Sequence, residues 1–171
     1  MQTATLAYRH GDWAEAAQAF SSARLAYLEL GRPVQAAEAA NNLSVTRLQA
    51  GQAEQALEAV AGTARVFLDA NETGLAAQAE GNLGAALEAC GRLEEAEQAF
   101  SRSIELFTLT GDAESRALSL QALSRVQLRQ GRPMQALGSM QAGLESGGRL
   151  SPTRRLLRRL LRIPGRILGN R

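Results

Sequence analysis

NLGAALEACGRLEEAEQAF, residues 82–100, decides the fold. Two runs rich in Ala and Leu, spaced at three and four residues, meet at Gly91. That spacing is the helical period, and a Gly between two such runs closes the first helix in the left-handed conformation without a Cβ clash. The same wording recurs forty residues apart along the chain: GDWAEAAQAF at 11–20, GQAEQALEAV at 51–60, GRLEEAEQAF at 91–100 and GRPMQALGSM at 131–140. Midway between them, Gly31, Asn71 and Gly111 close the second helix of each unit. A fixed period of this length is the mark of a solenoid.

The units therefore read as antiparallel helix pairs. Helix A is expected over 34–50, 74–90 and 113–130, with 2–10 as a shortened first copy. Helix B is expected over 12–30, 53–70, 92–110 and 133–146. Pro33 and Pro133 sit at first-turn positions, where the missing N–H has no helical partner to lose. Asp12, Thr73 and Asp112 suit N-caps or first-turn acids. Small residues recur where helices must approach: Ala4, Ser44, Gly84 and Ser124 on the A helices, and Ala16, Ala56, Ala96 and Ala136 on the B helices. Larger ones fill the gaps between them, namely Leu43, Leu83 and Leu123 on A, and Phe20, Val60, Phe100 and Met140 on B.

The motif of a small residue in helix A, Gly at the turn, then Ala and an aromatic on helix B resembles the tetratricopeptide repeat. Asn82-Leu83-Gly84, Gly91, Ala96 and Phe100 are its clearest copy. With a forty-residue period it is similar to the longer-helix repeats of kinesin light chains, LGN-type spindle adaptors and some bacterial regulators. The resemblance covers about residues 1–146. It implies an all-α, right-handed solenoid with a concave face lined by A helices, peptide or protein binding there, and no intrinsic catalysis. An Asn in the matching position of that family grips ligand backbone, which the resemblance carries to Asn42 and Asn82; Ala122 replaces it in the next unit.

Phase alone places Glu38, Asn41, Gln78, Gln121, Arg125 and Arg129 beside these two on the groove side. An Asn or Gln amide can donate and accept at once. Arg125 and Arg129, one turn apart, could fork a ligand carboxylate. Against this stands the plainer reading, in which the asparagines bond neighbouring helices and the arginines are solvated.

Charge divides the chain. Residues 1–148 hold all 17 acidic residues and 11 Arg, a net −6; residues 149–171 hold 8 Arg and no acid, a net +8. The chain accordingly reads as a repeat domain over 1–148 and a basic amphipathic tail over 149–171. In the tail, Leu156, Leu157, Leu160, Leu161 and Ile163 share one helical face, and Arg154, Arg155, Arg158, Arg159 and Arg162 the other. Three roles suit it: a closing helix for the solenoid, a helix lying on an anionic membrane, or a contact with a partner or another copy. Nothing on the repeat domain looks like a basic nucleic-acid-binding face.

One Cys and one distant His make neither a metal site nor a nucleophile–base pair, and no cofactor is implied. With no signal peptide and no long apolar run, the expected location is the cytoplasm. The leading expectation is a protein-interaction scaffold; the alternative is a self-associating or membrane-peripheral adaptor located by its tail. Gly138 and Gly143 inside the last B helix predict that unit four is the least protected, unless the tail covers it.

Overall fold

A computed structural model describes residues 2–146. Nine α-helices follow in order: α1 Gln2–His10, α2 Trp13–Glu29, α3 Pro33–Gln49, α4 Ala53–Val60, α5 Thr63–Asp69, α6 Thr73–Ala89, α7 Leu93–Thr110, α8 Ala113–Arg129 and α9 Pro133–Ser146. The A helices are α1, α3, α6 and α8. The B helices are α2, the α4–α5 pair, α7 and α9. Each helix packs mainly on its sequence neighbours, so the array is quasi-one-dimensional. The tail, with its arginines and leucines, lies outside the described residues.

The turns behave as their residues require. All four A–B glycines adopt positive φ, as do Gly31 and Gly111, and Asn71 takes the same place at φ 61°. Pro33 opens α3 at its first turn. Among the expected caps, Asp112 accepts a hydrogen bond from the Ser115 N–H at 3.0 Å. Asp12 is an N-cap without a side-chain bond, and Thr73 is already helical, the cap there being Glu72. Cys90 is the half-exposed C-cap of α6.

Alanine dominates the core, which lets helices approach closely, and a few large side chains fill the layers between them. Phe20, Val60, Phe67, Phe100 and Phe107 are buried; each contributes roughly 1.5–3 kcal/mol by leaving water. Gly84 shows how tight the fit is. A Cβ there would lie 2.9 Å from Phe100 Cδ1 and Cε1. Gly84 thus leaves room for the Phe100 ring, whereas the matching pairs are Ala4 with Phe20 in unit one and Ser44 with Val60 in unit two.

The B helix expected over 53–70 is broken at Ala61-Gly62. Ala61 is extended, with ψ 126°, and Gly62 is left-handed at φ 77°. The Thr63 hydroxyl donates to the Val60 carbonyl oxygen at 2.8 Å, with Asn41 Oδ1 a second acceptor at 3.2 Å. Side-chain bonds therefore compensate part of the interrupted ladder. A break of this kind needs a residue that enters the left-handed region without cost, which Gly62 provides.

Candidate functional site

Two open clefts lie between successive A helices, each floored by B-helix aromatics. The larger, about 410 Å³, runs between α6 and α8. Gln78, Gly81 and Asn82 form one wall, Ser115, Leu118, Ser119 and Ala122 the other, and Phe100 and Phe107 the floor. The smaller, about 180 Å³, runs between α1 and α3 and is lined by Thr5, Tyr8, Asn42 and Val45, with Phe20 beneath. Phe20 and Phe100 are in phase, as are Asn42 and Asn82. Both clefts combine an apolar floor with an Asn amide at the lip, on the A helix that follows the floor helix in the smaller cleft and on the one that precedes it in the larger.

No hydrogen bond within the described residues engages the side-chain amide of Asn42 or Asn82. Asn42 is exposed and Asn82 half-buried. The local contact at Asn42 uses its backbone instead, the carbonyl oxygen accepting from Thr46 Oγ1 at 2.7 Å. Each amide therefore keeps both donor and acceptor capacity. Gln78 and Gln121 are exposed and Glu38 is half-buried; of these three, only Gln78 lines a cleft.

Two groups of expected site residues are engaged elsewhere. Asn41 is buried, and its Oδ1 faces Thr63 at the break between α4 and α5; it belongs to the packing side of α3, not to the groove. Arg125 and Arg129 do grip a carboxylate, but it is the chain's own Glu88 on α6. Arg125 donates from Nε to Glu88 Oε1 at 2.8 Å and from Nη2 to Oε2 at 2.5 Å. Arg129 Nη1 reaches the Glu88 backbone oxygen at 3.1 Å and Oε1 at 3.3 Å.

Glu88 is only 7% exposed. Burial pushes its carboxyl upward, but the hydrogen bonds and charge of Arg125, then of Arg129, outweigh this and hold it below the usual carboxylate range. A carboxylate so saturated is a poor proton acceptor, and its work is to tie α6 to α8. Glu97 is held low in a similar way: burial raises it, and bonds from Arg132, Gln130 and Gln127 prevail. Arg132 Nη1 donates to Glu97 Oε2, joining α7 to the start of α9.

Glu88 was not singled out from the sequence, although a signal was there. An acid stands at the phase where Leu48 and Leu128 occupy the other copies, next to the only unit with two arginines on its A helix at the matching turns. Among the described residues, no group of three or more His, Cys, Asp or Glu could hold a metal, and no helix is long and apolar enough to cross a membrane.

Comparisons with known proteins agree with this architecture. The profile of the tetratricopeptide repeat family matches residues 75–146. The fold is tetratricopeptide-like. Among solved structures, the crystal structure of the apo form of RapI aligns with a TM-score of 0.78 over 85% of this chain, at 17% sequence identity. The chain corresponds to 53% of that structure's length, and the likeness speaks to the fold. Comparison with curated proteins gives no match. The matched stretch begins in α6, just beyond the broken helix.

Proposed function

We propose that this chain is a non-enzymatic protein-interaction scaffold that holds an extended segment of a partner along the column of A helices. Asn42 and Asn82 would clamp the segment's backbone, and apolar side chains of the segment would enter the clefts over Phe20 and over Phe100 and Phe107. The observation that carries this reading is the pair of unengaged amides, forty residues apart, each at the lip of an open aromatic-floored cleft. Extended segments gain affinity from main-chain hydrogen bonds and specificity from pockets for alternate side chains. Arg125 and Arg129 would act mainly through Glu88, by fixing the spacing of α6 and α8.

The experiment is affinity capture from native extract with the intact chain and with an Asn42→Ala/Asn82→Ala variant of unchanged melting temperature. Capture lost only with the variant supports the groove. Equal capture by both removes it.

A self-associating adaptor is the second reading, and α2 favours it. Leu25, Leu28 and Leu30 are all at least half exposed. The corresponding places in α7 carry Glu105, Thr108 and Thr110, so helix packing does not call for leucine there. Sedimentation of Leu25→Glu/Leu28→Glu against the unchanged chain tests it; a monomer in both cases removes it.

A further inference from the structure

The two faces of α3 are not alike. One carries Asn42 and the groove. Ala40, about 200° round the helix from Asn42, lies on the opposite face, which floors a channel between the outer helices α2 and α4–α5. Two adjoining cavities make up this channel. The smaller, about 190 Å³, is lined by Leu28, Ala36, Ala37, Ala40, Gly62 and Val66. The larger, about 440 Å³, has Arg47, Gln55 and Glu58 on its walls. Arg24 and Ala59 line both.

The matching places in later units are filled. Glu80 in α6 and Leu120 in α8 replace Ala40, and Arg102 in α7 replaces Gly62. Arg102 donates from Nε to Glu80 Oε2 at 2.9 Å, so an ion pair spans the space that unit two leaves open. In unit four, Leu120 is half-buried, and a Cβ on Gly143 would lie 3.3 Å from its Cβ. In unit two, by contrast, a Cβ on Gly62 would meet nothing within 4 Å. The break at Ala61-Gly62 and the alanines beneath it keep the channel open.

Arg24 is out of keeping with its position. Its counterparts Ala64, Ile104 and Leu144 are half-buried or buried, whereas Arg24 is exposed. No hydrogen bond or ion pair among the described residues engages its guanidinium. Helix packing therefore does not call for a cation there. Arg47 is a second cation in the channel, and its Nη1 donates to the Gln52 side-chain oxygen rather than to an acid. Glu58 is the one acid on the walls. The channel thus sets net positive charge beside an apolar hollow, and the segment that complements it bears a carboxylate. Residues 149–171, with 8 Arg and no acid, have the wrong sign.

We propose that this channel is a second binding site, on the side of α3 away from the groove, for an acidic segment of a partner protein. A leucine or isoleucine of the segment enters the smaller cavity, and the carboxylate of an adjacent Glu or Asp meets Arg24. Apolar cavities of about 150 Å³ admit a benzene ring, so one branched aliphatic side chain is the size that fits. Asn42 and Asn82 take no part, and the scaffold can hold two segments at once.

The probe is the amidated peptide Gly-Ser-Glu-Leu-Glu-Ser-Gly, titrated into the isotope-labelled full chain and followed by NMR. Saturable shifts are expected at the Ala37, Gly62 and Thr63 amides and at the Arg24 Nε–H, with the side-chain amides of Asn42 and Asn82 unmoved. Replacing the peptide's leucine by serine should weaken binding by about tenfold or more. Arg24→Gln should weaken it by about threefold and reduce its salt dependence, yet leave binding of a peptide with Gln in place of Glu unchanged. Ala40→Leu, which copies Leu120, should abolish the shifts with melting unchanged. Arg24→Glu changes only an exposed side chain and should weaken binding further than Arg24→Gln, whatever Ala40→Leu does to the fold. Affinity indifferent to Arg24 and to the peptide's leucine, or no saturable shift at millimolar peptide, overturns the proposal. A dimer in sedimentation that Ala40→Leu dissociates also overturns it, giving the channel to a second copy. Asn42→Ala/Asn82→Ala should leave the peptide's affinity unchanged, so failure of the groove reading leaves this site standing.

Discussion

Units two and three present the same groove asparagine at the same phase, yet their outer helices differ. α7 runs unbroken from Leu93 to Thr110, while its counterpart splits into α4 and α5. The difference traces to one pair of side chains. In unit three, Gly81 leaves room for Ser103, whose hydroxyl reaches the Ala77 carbonyl oxygen at 2.8 Å. In unit two, Asn41 fills that room, and Thr63 bonds to Asn41 and Val60 instead. The A helices stay continuous in both units. An outer helix can therefore be broken while the column that presents Asn42 and Asn82 remains helical.

The sharpest way to break this comparison is in the tighter unit. Phe100→Ala should cost about 3–5 kcal/mol, since it empties the layer between α6, α7 and α8. Gly84→Ala should cost about 1–3 kcal/mol by overpacking against the same ring. The double substitution Gly84→Ala/Phe100→Val should cost less than the sum of Gly84→Ala and Phe100→Val made singly. Denaturant melts of the four chains measure the coupling; strict additivity would mean that Gly84 and Phe100 do not share a layer.

Gly62→Ala comes next, at about 1–2 kcal/mol, because an L-residue must then hold a left-handed backbone. The matching place eighty residues on is Ala142, inside the continuous helix α9. A Gly62→Ala chain as stable as the original would mean that the break heals at no cost.

Glu88→Gln tests the tie between α6 and α8. The folded carboxyl lies below its ordinary value. A lowered folded pKa contributes stability that is complete above the unfolded value, about 4.3, and is lost as pH falls through the folded one. The substitution should cost about 1 kcal/mol at pH 7, discounted because both guanidinium groups are partly in water. It should also flatten the fall in stability below about pH 4. An unchanged acid limb would mean that other carboxylates carry it.

The smallest effect has the opposite sign. Ser44 Oγ is buried without a partner, whereas Ser124 Oγ, at the same phase, donates to the Ala136 carbonyl oxygen at 2.8 Å. Ser44→Ala should stabilise by about 0.5–1 kcal/mol, and Ser124→Ala should destabilise by about 1 kcal/mol. Equal effects at the two sites would contradict the difference in their bonding.

The fold was legible because each signal repeats: turn glycines, small and large packing positions, and helical spacing all recur at forty residues. The break at Ala61-Gly62 was not, because Ala, Gly and Thr in a helical frame leave the period intact, and only the contact with Asn41 shows the interruption. The groove was legible in part. Phase placed Asn42, Asn82 and Gln78 at the clefts, since side-chain direction on a helix follows residue spacing. It misplaced Asn41, one residue from the lip, where about 100° of rotation separates groove from core. Phase could not show that Arg125 and Arg129 spend their bonds on Glu88, because that pairing spans two units and depends on how closely α6 and α8 approach.

The most direct measurement follows the side-chain amide signals of Asn42 and Asn82 by NMR while a captured partner segment is titrated as a peptide. The account predicts that both amides shift together and saturate at one affinity, with the signals of α2, α5 and the outer face of α7 unmoved. Shifts confined to those outer helices, with both amides silent, would contradict it.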